Sequence, residues 1–390
     1  MKIDFKKCVV CLCLLAFACA VPALAFVQFG TGTNVTRDHY AATDGFTKMA
    51  DGRDVYMFGF TNISSLVRFN NHSTSKAILA KNQCEFPGPT LDVREGNHHY
   101  LNLSTLGMTL RPDLFDPHTV HFHGFPNATA LFDGEPMSSL ATNQGNDFTY
   151  FYQLMDPGTY MYHCHVEAPE HMEMGMLSNL VVRPSQDVTR PVVCTDGSGR
   201  APGSFAGFIF NDGDCSTGYD SELILQFAEI DAAFHDADSF AQPLPFAELK
   251  ARYYVLNGRG YPDTVNTAQI LNQEGYPAQK IHSLITAAAG QRILVRLSNL
   301  SIANFTTIEV LGLPMQVVGK DAKFLRRPNG KDLRYFANSV FIGPGESAEL
   351  LINTIGIAPG TYYLYSRNLE QLNSDMLDRS GAMTEIRINP

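Results

Sequence analysis

Three histidines fall within six residues of segment 118–126, HTVHFHGFP. Farther along, GTYMYHCHVEAPEHMEMGM sets His163, Cys164 and His165 in a row, with His171 and Met176 downstream. Imidazole, thiolate and thioether are ligands for soft and borderline transition metals. Two histidines, one cysteine and a weak axial methionine form the ligand set of a blue-copper electron-transfer site. Zinc is the runner-up metal for such residues. It accounts neither for Met176 nor for the way the ligands divide between two faces.

That division follows from strand geometry. Side chains alternate faces along a strand, so His163 and His165 point one way and Cys164 the other. His121 and His123 share a face, and His118, three residues before His121, takes the opposite one. Two clusters are expected. His118 and Cys164, with His171 and Met176 from the following loop, gather on one side; His121, His123, His163 and His165 gather on the other.

The elements that must hold these residues read as strands. Short β-rich runs such as HHYLNLS, TYFYQLM, LILQFAEI and SAELLINTI recur between turn clusters, and helical periodicity is scarce. The 31 glycines and 21 prolines punctuate the runs as a sandwich or barrel requires. Three internal matches keep their order. EGNHHYLNLS at 95–104 resembles AGQRILVRLS at 289–298, HTVHFHGFP resembles TTIEVLGLP at 306–314, and PGTYMYHCH at 157–165 resembles PGTYYLYSR at 359–367. Such self-similarity at a domain-sized period indicates a duplicated unit. The expectation is all-β, with two Greek-key β-sandwich domains at 26–184 and 220–390 and a Gly/Ser/Pro-rich linker at 185–219. In the second copy every histidine of the first motif is replaced: Thr306, Glu309 and Leu311 stand for His118, His121 and His123, and Tyr365-Ser366-Arg367 stand for His163-Cys164-His165.

The chain of 390 residues has 45% apolar content, enough for real cores, and a formal charge of −10 that argues against a nucleic-acid partner. Residues 1–25 read as a secretion signal, with Lys2, Lys6 and Lys7, an apolar run at 8–20 and Ala23-Leu24-Ala25 as the cleavage pattern. Its apolar run is short for a membrane anchor, and no integral membrane segment is expected after cleavage. A periplasmic or secreted location is expected, where disulfides persist. Cys194 and Cys215 flank the linker loop and are candidates for one, although pairing is not fixed by sequence.

The motifs HTVHFHG and YHCHVEAPEHMEMGM resemble the multicopper oxidases, the family of laccases, ferroxidases and cuprous oxidases. More distantly they resemble copper nitrite reductase, which shares the cupredoxin fold. The resemblance spans most of the chain, but its copper motifs lie in the first domain only. It implies a cupredoxin-like fold for both domains. It implies type 1 copper held by His118, Cys164, His171 and Met176. It also implies a type 2/type 3 cluster on His121, His123, His163 and His165, where O2 is reduced. Cys164 with His163 and His165 would then carry the electron between centres. Two departures matter. The stretch from Cys164 to His171 is two residues longer than usual in the family. A trinuclear cluster also needs four more histidines from a second domain, and this one has only His235 and His282, neither in a paired motif.

The leading expectation is a multicopper-oxidase-type oxidoreductase taking electrons from a small-molecule or metal-ion donor. Its second copper site would be completed by a homo-oligomer, such as a trimer, or by a partner chain. The alternatives are a type 1 copper electron carrier or copper-binding protein without oxidase activity, and a nitrite-reductase-like enzyme. Elsewhere His39, His72, His98, His99, His235 and His282 read as ordinary hydrogen-bonding residues. Met161, Met172 and Met174 read as packing, with a Cu(I)-handling role as the sharper alternative. Glu167, Glu170 and Glu173 read as solvated charge or as an acidic rim for a cationic donor.

Overall fold

Strands form where β-branched and aromatic residues cluster, and in this chain they form two sandwiches in sequence. The computed structural model describes residues 32–67 and 74–390. The expected signal at 1–25 and His72 lie outside the described residues. The two sandwiches belong to one unit, Asn34–Pro390.

The first sandwich contains β1 (Val35–Lys48), β2 (Asp54–Asn62), β3 (Leu91–Arg94), β4 (His98–Thr105), β5 (His121–His123), β6 (Asp147–Gln153), β7 (Gly158–His163) and β8 (Leu177–Arg183). Its sheets run β2-β1-β4-β6 and β3-β8-β7-β5. A small pair, β9 (Gly207–Phe208) and β10 (Gly218–Tyr219), comes next in the chain. The second sandwich contains β11 (Ser221–Ile230), β12 (Tyr253–Leu256), β13 (Ile285–Ala288), β14 (Arg292–Asn299), β15 (Thr306–Val310), β16 (Met315–Lys320), β17 (Lys323–Phe324), β18 (Tyr335–Ala337), β19 (Ser339–Ile342), β20 (Ser347–Asn353), β21 (Gly360–Ser366) and β22 (Met383–Asn389). Its sheets run β12-β11-β14-β20-β16-β17, with β18 on β16, and β13-β22-β21-β15-β19.

The duplication is visible in the wiring. The order β2-β1-β4-β6 recurs as β12-β11-β14-β20, and β3-β8-β7-β5 recurs as β13-β22-β21-β15. Parallel pairs recur too: β1 with β4 and β11 with β14, β3 with β8 and β13 with β22. Neighbours that are distant in sequence make both halves Greek-key sandwiches rather than meanders.

Each sandwich has its own apolar core. Tyr40, Phe58, Phe60, Leu101, Leu103, Phe122 and Tyr152 fill the first, and Leu225, Phe227, Val295, Leu297, Ile308, Leu350 and Ile386 fill the second. A third cluster joins them, with Met57, Phe86, Met161 and Leu177 packed against Ile230, Tyr253, Val255 and Leu300. A buried apolar side chain contributes about 1.5–3 kcal/mol and an exposed ion pair about 0–1 kcal/mol, so these clusters hold the assembly together. Polar contacts fix the alignment. Thr159 N donates to Glu349 Oε1 at 2.9 Å, Arg296 Nη1 donates to Thr159 Oγ1 at 3.1 Å, and Ser298 Oγ donates to Asn179 Oδ1 at 2.8 Å. The β7–β8 face of the first sandwich therefore lies against β14 and β20 of the second.

The stretch 185–219 is folded rather than loose. Cys194 and Cys215 are joined by a disulfide. Arg190 donates to the carbonyls of Pro202 and Phe205, and Asp212 accepts from Cys215 N and Thr217 N.

Candidate metal centre

β5 and β7 pair antiparallel with His121 opposite His163 and His123 opposite Met161. Because these are directly paired positions on one pleated surface, their side chains stand together on one face. His118 precedes β5 and exchanges backbone hydrogen bonds with Thr142, at 3.0 and 2.8 Å. Cys164 follows β7 and donates its N–H to Met176 O at 3.0 Å. Thr119 ties the two segments, its Oγ1 accepting from His165 N at 3.1 Å.

On the inner side, His118, Cys164 and His171 bring one ligand atom each to within 4.8 Å of one another. Cys164 Sγ lies 3.3 Å from His171 Nδ1 and 3.8 Å from His118 Nδ1. All three are buried, as is Met176, which sits in the same apolar cluster as Cys164. The longer stretch before His171 is taken up by a helix, Ala168–Glu173, entered through Glu167 in the left-handed region (φ 47°). Gly175 turns the chain out of that helix at φ 113°, where a Cβ would lie 2.6 Å from Met57 Cε and 2.9 Å from Phe58 O. A side chain at 175 is thus excluded by both conformation and space.

The electrostatics of this pocket are asymmetric. Burial, reinforced by His171, holds His118 well below the usual imidazole range. Burial also opposes charge on His171, but the Cys164 sulfur and the Asp116 carboxylate outweigh it and hold His171 up at about 10. A positive charge is favoured beside Cys164. His171 Nε2 has no hydrogen-bond partner although it is buried. Asp116 Oδ2 and Glu167 Oε2 stand 3.9 and 4.0 Å from it. Glu170 is raised to about 7, chiefly by burial.

On the outer side, His121, His123 and His163 offer ligand atoms within 4.8 Å of one another. His165 stands beside this trio, with its ring centre 4.9 Å from that of His121 and 5.6 Å from that of His163. His121 Nδ1 donates to the Asp133 carbonyl at 2.7 Å and His163 Nδ1 donates to the Cys164 carbonyl at 2.8 Å. Each ring therefore presents Nε2 as its lone pair, the arrangement by which a backbone carbonyl orients a metal-binding imidazole. Burial lowers His163 to about 3, so the ring is neutral. These histidines open onto a cleft of about 440 Å³ whose far wall is Ser301, Ile302, Pro344 and Gly345 of the second sandwich.

The residues fit copper unequally. The inner donor set of one thiolate and two imidazoles, buried with Met176 close by, suits a single type 1 ion. The outer set supplies half of what a trinuclear cluster requires, and the facing wall adds no imidazole. The second sandwich has filled both equivalent positions differently. At the place of His118 and Cys164, Thr306 and Ser366 hydroxyls both donate to Gln371 Oε1, at 2.8 and 2.6 Å. At the place of His121 and His165, Glu309 and Arg367 form an ion pair at 3.1 Å.

Asp116, Asp133 and Gly345 were not legible as site residues in the sequence, since each acts through a tertiary contact with no motif of its own. Thr119 had a signal, its repetition as Thr307. Of the isolated histidines, His39 Nε2 is paired with Ser104 Oγ at 2.8 Å and His99 Nδ1 with Thr36 Oγ1 at 2.9 Å. His98 packs its ring edge-on against Phe151.

Multicopper oxidase family models match residues 65–187 and 237–384. The multicopper oxidase MmcO of Mycobacterium tuberculosis is 24% identical over 246 residues, covering 60% of this chain and 41% of that protein. Copper resistance protein A of Pseudomonas syringae pv. tomato is 25% identical over 277 residues, covering 65% of this chain and 40% of that protein. The chain thus spans about two fifths of the length of these relatives. Among solved structures, the blue copper oxidase from Nitrosomonas europaea superposes with a TM-score of 0.63 at 21% identity, covering 91% of this chain and 86% of that one. The copper nitrite reductase from Nitrosomonas europaea gives 0.57 at 16%, covering 91% and 93%. These likenesses establish the cupredoxin-like fold.

Proposed function

Because this chain belongs to the multicopper oxidase family, we propose that it is a copper-dependent oxidoreductase that takes electrons from an outer-sphere donor at the Cys164 pocket. His118, Cys164, His171 and Met176 would hold type 1 copper, and His121, His123, His163 and His165 would hold further copper. Bound copper supplies one-electron chemistry, with O2 as the proposed final acceptor. The chain's own residues set the route. Cys164 faces the inner pocket while its covalent neighbours His163 and His165 face the outer cleft, so an electron leaving the sulfur meets no through-space gap before the histidine face. That back-to-back placement carries the proposal.

The donor end is acidic. Asp116 and Glu167 flank the buried Nε2 of His171, which favours a metal ion or another cationic donor over an anionic one. Export to the periplasm or beyond is supported by the Cys194–Cys215 disulfide. No helix among the described residues is long and apolar enough to cross a membrane. A homo-oligomer is supported by the β15–β19–β21 face. There Phe305, just before β15, and Phe341, on the edge strand β19 that the first sandwich lacks, are more than half exposed and stacked on each other.

The second reading is an electron carrier or copper-binding protein without oxidase activity. The facing wall of Ser301, Ile302, Pro344 and Gly345 favours it, because further imidazoles would have to enter from another chain through the cleft mouth. Copper loading of the purified protein, with a parallel Cys164→Ser variant, tests the type 1 assignment. The expected result is a blue chain and a colourless variant. A blue Cys164→Ser chain would refute the ligand set.

A further inference from the structure

The outer cleft is lined by more than imidazoles. Met161 faces His123 in the β5–β7 register and shares its strand face with His163. Met172, from the helix Ala168–Glu173, lines the same cleft. None of the residues lining it carries a carboxylate, an amine or a guanidinium. Asp133 touches His121 from behind, on Nδ1. The facing wall also leaves little space for another ligand beside His123, since even a Cβ on Gly345 would lie 3.2 Å from His123 Nε2.

Neutral donors discriminate by charge and softness. Anionic donors favour a divalent ion over a monovalent one by Coulomb attraction, and neutral ligands give up that preference. A thioether contributes to a soft monovalent ion and little to a hard divalent one. Imidazoles beside two thioethers, with Asp133 and Asp321 near His121 and His123 but off the cleft lining, fit one Cu(I) ion better than a cluster of Cu(II) ions.

We propose that in the single chain this cleft is a mononuclear Cu(I) site, with Met161 and Met172 as thioether donors beside the histidines. The inference rests on reading the histidine face as a copper site. A trinuclear cluster would need imidazoles on a wall that carries serine, isoleucine, proline and glycine.

The test uses the full chain carrying Cys164→Ser, which removes the inner thiolate, titrated anaerobically with Cu(I) against a chromophoric competitor and separately with Zn(II). One Cu(I) per chain is expected, with sulfur in the X-ray absorption shell. Adding Met161→Leu and Met172→Leu, which conserve volume, should weaken Cu(I) on the order of tenfold or more. Zn(II) affinity should hold, and it reports that the fold is intact. Unchanged Cu(I) affinity in the leucine variant, or three coppers per chain, overturns this inference alone. Failure of the Cys164→Ser chain to bind either metal overturns the reading of the face and this inference with it.

Discussion

His121 and His163 are each aimed by one backbone carbonyl, and His123 is aimed by space. Gly345, at φ 85°, faces His123 Nε2 across the cleft. A Gly345→Ala chain puts a methyl 3.2 Å from that nitrogen and strains a left-handed backbone by about 1–2 kcal/mol. It should weaken metal binding at the outer cleft and leave the blue colour of the Cys164 pocket unchanged. Equal loss at both positions, monitored by zinc titration and visible absorbance, would contradict the separation of the two sites. Gly134, directly after Asp133 at φ 73°, keeps that segment against the backbone before His121, since any Cβ there would collide with the Val120 carbonyl. The ligand types and their two faces were legible in the sequence because strand alternation fixes them from spacing alone. The residues that aim them were not, because Asp133, Gly134 and Gly345 meet the histidines only through the folded chain.

At the scale of strands, β15 and β21 keep the scaffold of β5 and β7 and replace its ligands with groups that satisfy one another. Gln371 accepts from both Thr306 and Ser366 and donates Nε2–H to Phe305 O at 3.0 Å. Gln371→Leu leaves these buried groups short of partners and should destabilise the chain by about 1–3 kcal/mol. A urea midpoint that does not move would show the triad to be dispensable. The β4 residue His99 gives the strands a pH dependence. Its ring is fully buried and held down at about 3 by desolvation, which Asp38 at 3.9 Å does not offset. The unfolded chain binds this proton from about pH 6.5. His99 therefore costs nothing above that value and destabilises progressively as pH falls toward 3, by about 2 kcal/mol at pH 5. A His99→Asn chain should lose correspondingly less stability between pH 7 and 5, and parallel curves would refute the assignment. Alternation and turn residues made the strands of both copies readable. The extra strands β16 to β19 were not, because MQVVGK and the strands after it have no counterpart in the first copy.

The whole molecule is two sandwiches of one topology locked in a fixed alignment by the Met161–Tyr253 cluster and the Thr159–Glu349–Arg296 contacts. That alignment sets the second sandwich as a wall in front of the first sandwich's histidines. The sequence repeat announced the duplication, but which face of one copy would cover the other depends on contacts 119 to 190 residues apart and was not legible. The wall is why electron entry and electron exit are separate questions for this chain. Both are answered by one observation on copper-loaded protein: absorbance of the blue centre through a cycle of anaerobic reduction by a donor and admission of O2. In the assembly that completes the second copper site, the colour should bleach with the donor and return with O2, with neither change in a Cys164→Ser chain. A centre that bleaches and stays bleached in O2 would contradict oxidase function and leave an electron carrier. A chain that never turns blue would contradict the copper assignment of the Cys164 pocket itself.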